Sequence, residues 1–207
     1  MLEKVFFSFH YEKDNWRVQQ IRNMGVVEGN QLVKANDWEE IKRKGVNSIK
    51  NWINDQLRHS NVVVVLVGSE TAERKWIQYE IETAWNMGKP ILGIKIHELL
   101  DRLENSDVNG RNPFELFTID RKGKAEVYES NYGINWYGTP MSAYVKLYDP
   151  LSNEYRDIFE AHSIRFINES QKRKSRSQIA YRVISKYLPK WIEEARLSRE
   201  NALRDFS

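Results

Sequence analysis

Apolar and polar positions follow two different periods along the first half of the chain. Residues 4–9, "KVFFSF", form a short apolar run that predicts a buried strand, and "EKDNWRVQQIRNMG" then spaces its apolar residues as a helix does until Gly25 supplies a stop. "GVVEGNQLV" predicts a weaker second strand, and "GVNSIKNWINDQL" places Val46, Ile49, Ile53 and Leu57 on one helical face. Residues 61–67, "NVVVVLV", do not alternate at all, which is the pattern of a strand covered on both faces. "TAERKWIQYEIETAWNMGKP" follows as a helix, with Gly88 as its C-cap and Pro90 barring continuation, and "PILGIKI" is the next strand. The βαβαβαβ order predicts an α/β fold, a doubly wound parallel sheet flanked by helices. In that architecture ligands bind at the carboxyl ends of the strands.

Beyond residue 97 the pattern weakens. Residues 97–140 carry Asn-Gly and Asn-Pro turn signals and the aromatics Tyr128, Tyr132, Trp136 and Tyr137, and read as an insertion with a hairpin of its own. A segment of that length is a candidate lid, with a surface elaboration as the equal alternative. "SAYVKLYDP" predicts the last strand, and "SRSQIAYRVISKYLPKWIEEARLSRENAL" a terminal helical segment interrupted near Pro189. The expected organisation is one domain over 1–164 that includes the insertion at about 97–140. A C-terminal helical extension, 165–207, packs on it.

Composition narrows the chemistry. The 207 residues suit one α/β domain with elaborations, and the absence of cysteine excludes disulfides, thiolate metal sites and cysteine nucleophiles. The first apolar stretch is too brief for a signal sequence or a membrane span, so a cytoplasmic protein without a membrane partner is expected. The net charge of +3 is unevenly spread: from Arg165 onward there are 11 Lys/Arg against 5 Asp/Glu, which makes the extension basic. Its "QKRKSR" run reads as a solvated linker before a helix, and nucleic acid is not an expected partner. The glycines do not form a dinucleotide fingerprint, and "MGKP" lacks the preceding glycine of a Walker loop. His10, His59, His97 and His162 have no ligand-like spacing, so neither a metal nor a bound cofactor is expected.

The helix after the apolar strand holds three acids. At about 100° per residue, Ile77, Ile81, Ala84, Trp85 and Gly88 share one arc that faces the sheet. Glu73 falls in the first turn, where the helix dipole accounts for it, and Glu82 points away to solvent. Glu80 lies beside the buried arc, close to the carboxyl end of the sheet. On geometry alone, a boundary acid paired with a Lys or Arg is the plainer reading of Glu80.

"VFFSFHYEKD" resembles the opening of TIR domains, and "SETAERKWIQYE" resembles their segment in which Trp and Glu stand four apart, as Trp76 and Glu80 do. The chain is similar to the ThsB-like TIR proteins of bacterial Thoeris anti-phage defence. That resemblance implies a flavodoxin-like (TIR-like) sheet and an enzyme that takes NAD as substrate and cleaves its nicotinamide-ribose bond, with Glu80 catalytic. It also implies a cyclic ADP-ribose isomer as a diffusible signal to a partner effector, ThsA, on a phage trigger not identified by the sequence. Ser8, Phe9, His10 and Tyr11 at the end of the first strand, and Ser69 at the end of the third, should rim the crevice beside Glu80. Phe9 stands where TIR enzymes often carry a stacking aromatic, and Phe9 and Trp76 could sandwich a flat base. A homo-oligomer is an open possibility, and a non-enzymatic TIR-like adaptor is the alternative. A receiver domain is disfavoured because the first strand lacks an acidic pair and Asp14 lies too far along.

Overall fold

The computed structural model describes residues 2–30, 41, 43–127, 138–155, 157–158 and 168–206. The end of the expected second strand, most of the loop after it, the four aromatics of 128–137 and His162 lie outside these residues. The first half of the chain alternates β1 (Lys4–Ser8), α1 (Tyr11–Arg22), β2 (Glu28–Gly29), α2 (Val46–Arg58), β3 (Val62–Val67), α3 (Lys75–Asn86) and β4 (Ile91–Lys95). The insertion contributes β5 (Phe117–Ile119), β6 (Ala125–Val127) and β7 (Thr139–Pro140), an antiparallel sheet in the order β6-β5-β7. After it come β8 (Leu147–Tyr148) and a long helix, α4 (Glu169–Asp205). The main sheet is parallel throughout, in the order β2-β1-β3-β4-β8, which is the flavodoxin-like arrangement.

All six residues of β3 are 0% exposed, as an unalternating valine run requires. The pleat divides them between two cores. Val62, Val64 and Leu66 join Val5 and Phe7 of β1 under α1 and α4, while Val63, Val65 and Val67 join Phe6 under α2 and α3. Fully burying a Val or Leu is worth about 1.5–3 kcal/mol, so β3 alone supplies on the order of 10 kcal/mol before conformational entropy is subtracted.

Tertiary packing revises several local expectations. Val46 is 58% exposed, and only Ile49, Ile53 and Leu57 of the expected α2 face are buried. The α3 helix begins at Lys75 rather than at Thr71, because the Thr71 hydroxyl accepts a bond from the Gly68 N–H at 2.9 Å and stabilises a turn there instead. Glu73 therefore precedes the helix, and its expected dipole role is not the one it has. Pro189 does not interrupt α4, which runs through it for 37 residues. "QKRKSR" is not a linker but the first turns of α4. Within it, Arg176 pairs with Glu98 and Lys174 with Glu104 at 2.7 Å, so the basic run ties the helix to the loop after β4.

The expected hairpin in the insertion is present, as β5 and β6. It docks on the last turn of α3: the Trp85 indole N–H donates to the Gly123 carbonyl at 2.8 Å, and the Asn86 side chain bonds both backbone groups of Ala125. Phe114, Phe117, Ile119 and Ala125 are part of the α2/α3 core.

Candidate active site

Ser8 is the last residue of β1 and follows Phe6 on the face covered by α3. Ile77, Ile81, Ala84 and Trp85 press α3 onto that face. Glu80, immediately before Ile81, is thereby held at the edge of the helix-sheet interface. The Ser8 hydroxyl donates to Glu80 Oε2 at 2.5 Å, joining residues 72 positions apart. Glu80 keeps a solvent-facing edge but is crowded by protein. That crowding pushes its carboxyl up to about 8, and the Ser8 hydrogen bond only partly opposes it. Among the described residues no Lys or Arg neutralises Glu80 as a boundary acid would require: the group that lowers its pKa is the uncharged Ser8 hydroxyl.

Glu82 is half-buried rather than simply solvated. Its carboxyl is raised by burial and by Glu126 of β6, against the pull of Lys50.

The other expected rim residues divide into separate groups. Phe9 is half-buried against the α1/α4 core, with its ring 6.1 Å from that of Tyr11, which opens α1 at 38% exposure. Trp76 packs instead against the α2/α3 core, edge-on to Tyr79 at 6.1 Å. The two candidate stacking rings are thus seated against opposite faces of the sheet. Ser69 turns its hydroxyl to Asp107 at 2.7 Å, on the loop after β4. His10 caps α1 with its backbone alone. Its imidazole pKa is lowered by burial and by Arg74, and its Nδ1 has no hydrogen-bond partner.

Sequence reasoning missed a buried acid-base pair at the same end of the sheet. Asp14 and Arg17, at 0% and 3% exposure, meet at 3.1 Å. Arg17 also donates to the carbonyls of Leu99 and Asn105, which draws the loop after β4 across the strand ends. Burial pushes the Asp14 carboxyl up to about 6 although Arg17 opposes it. The backbone comes very close here: a Cβ on Gly68 would lie 2.3 Å from Asp14 Oδ2, and one on Gly110 would lie 2.0 Å from the Gly68 carbonyl oxygen. An acid and a base three apart on a helix are a legible pair, but nothing local signals that α1 turns them inward. Lys13, Glu70, Arg74 and Asp107 were missed as well, because their contacts join three separate elements.

The arrangement provides one carboxylate, one hydroxyl on it, and a polar rim at the carboxyl ends of β1 and β3. Residues 6–101, which contain all of these except Asp107, match the family model of the Thoeris protein ThsB, TIR-like domain. The match covers 96 of the 207 residues, a little under half of the chain. The TIR-like domain is also similar to a protein of Bacillus cereus (strain MSX-D12) provisionally named cyclic ADP-D-ribose synthase ThsB1, at 38% identity over 120 residues. That match takes in 56% of this chain and 62% of the relative, so it spans less than two thirds of the relative's length. Among the described residues, no helix is long and apolar enough to cross a membrane.

Proposed function

We propose that this protein is a TIR-domain enzyme that cleaves NAD at the nicotinamide-ribose bond through Glu80 and makes a cyclic ADP-ribose isomer. The observation that carries the reading is the half-buried Glu80 carboxyl, hydrogen bonded by Ser8 at the carboxyl end of β1, in a domain that matches the ThsB family model. As the bond between the ribose and the ring nitrogen breaks, its electron pair leaves with nicotinamide and positive charge builds on the ribose. A fixed carboxylate beside the ribose stabilises that charge more in the transition state than in the ground state. Nicotinamide departs neutral, so no second carboxyl is needed as a general acid, unlike in ordinary glycoside hydrolysis.

The acceptor decides the product. Water gives linear ADP-ribose and a proton, whereas a hydroxyl or ring nitrogen of the same molecule gives a cyclic product when the site holds the two ends together and excludes water. The cyclic product is the signal for a partner effector of the ThsA type in anti-phage defence, a reading supported by the ThsB family match and the name of the Bacillus relative. The test compares wild type with Glu80→Gln for nicotinamide release and for small-molecule products in phage-infected cells. Loss of both products and protection in the variant is expected, with its fold intact. Full product formation by Glu80→Gln removes the Glu80 assignment, whereas protection by wild type in infected cells with neither nicotinamide release nor a cyclic product makes a non-enzymatic adaptor the better reading.

A further inference from the structure

Beyond the carboxyl ends of β1 and β3, the carboxylate of Glu70 is gripped by cations from two elements. Glu70, in the turn between β3 and α3, accepts from Lys13 Nζ of α1 at 3.1 Å and pairs with Arg74, the N-cap of α3. His10 Nδ1 lies 4.0 Å from Glu70 Oε2. Two buried nitrogens of this group, His10 Nδ1 and Arg74 Nε, have no hydrogen-bond partner. The cluster therefore has more donors than Glu70 uses. Glu70 is itself about half exposed, and ion pairs of that kind are weak, so a polyanion with more acceptor atoms can displace it readily. Lys13 stays in place when Glu70 leaves, because Asp107 lies 3.4 Å from its Nζ and ties it to the loop after β4.

The position of the cluster indicates what the anion would be. Arg74 precedes Glu80 by six residues, about 9 Å along the axis of α3. His10 follows Ser8 by two residues, at most about 7 Å of extended chain. Both elements thus set the cluster at a similar short reach from the Ser8–Glu80 pair. In a dinucleotide whose ribose lies on Glu80, the diphosphate is the next charged group along the molecule.

We propose that Lys13, Arg74 and His10 form a diphosphate-binding subsite, and that Glu70 is an internal stand-in that the bound diphosphate displaces. This inference rests on the reading of Glu80 as the reacting end of a dinucleotide site. The subsite recognises the diphosphate itself, so free inorganic pyrophosphate is a direct probe of it.

The experiment titrates pyrophosphate into the full chain by calorimetry at low ionic strength, for wild type, Glu70→Gln, Lys13→Ala and Arg74→Ala. All three side chains are a third or more exposed, and a thermal melt of each variant checks that it is folded. Glu70→Gln is expected to bind about fivefold more tightly, the size of one half-exposed ion pair, and each cation variant more weakly by at least that factor. In nicotinamide-release assays Glu70→Gln should lower KM with little change in kcat. The proposal is overturned if pyrophosphate binds neither wild type nor Glu70→Gln, if Glu70→Gln binds no more tightly than wild type, or if the cation variants bind as wild type does. Pyrophosphate binding needs no turnover, so its failure leaves the Glu80 assignment standing. Conversely, an active Glu80→Gln variant removes that assignment without touching the titration.

Discussion

Glu80 combines a demand for charge with surroundings that resist it. Its carboxyl is raised to about 8, so near neutral pH only a minor fraction is ionised in the free protein. If the anion is the working form, kcat/KM for nicotinamide release should climb as pH rises toward about 8 and level off above it. Ser8 lowers the Glu80 pKa, so Ser8→Ala should move that limb to higher pH, as measured by the same profile; an unmoved limb would mean that another group titrates. The same shift bears on stability. The ordinary glutamate value is 4.5, and the folded value lies above it, so stability from the neutral acid is full below about 4.5 and is lost as pH rises through about 8. Glu80→Gln stays neutral throughout. It should therefore be more stable than wild type at pH 8–9, by on the order of a few kcal/mol at most and read as a higher melting temperature, and match it near pH 4.5. Equal melting of the two across this range would contradict the burial of the carboxyl.

Elements show where local rules yield to packing. Helix α4 passes through Pro189 although proline lacks the N–H that a helix interior needs, because Leu188, Trp191 and Ile192 around it are buried at 3% exposure or less. Pro189 is itself exposed. Pro189→Ala should restore the backbone bond without disturbing the core and raise stability by about 1–3 kcal/mol, read as a higher urea midpoint at unchanged slope. No gain would mean that the ring contributes to packing. The boundary of α3 teaches the same lesson in the opposite direction. Its apolar periodicity was legible from Ile77 to Trp85, but its first residue depended on the Thr71 and Gly68 turn, and so the role expected of Glu73 did not hold.

At the scale of the whole molecule, α4 is structural for the domain it follows. Ile179, Ala180, Val183, Ile184, Leu188, Trp191, Ile192 and Ala195 share one core with β1, β3 and β4. Ending the chain at residue 168 would uncover Val183, Ile184, Leu188, Trp191 and Ile192, at about 1.5–3 kcal/mol each, which is comparable to the whole stability of a typical domain. The shortened chain should lose its cooperative thermal transition by circular dichroism; a sharp transition would make 169–205 a separable appendage. By itself the sequence determined the βαβαβαβ order, the doubly buried β3 and the singular position of Glu80, because hydrophobic periodicity is a local record of which faces are buried. Only the tertiary structure decided that Ser8 donates to Glu80, that Asp14 and Arg17 turn inward, and that Phe9 and Trp76 pack on opposite faces. It also decided that Lys13 and Arg74 meet on Glu70. Each of these contacts joins positions whose approach depends on crossover geometry and sheet order, and for those a single chain carries no local period to read.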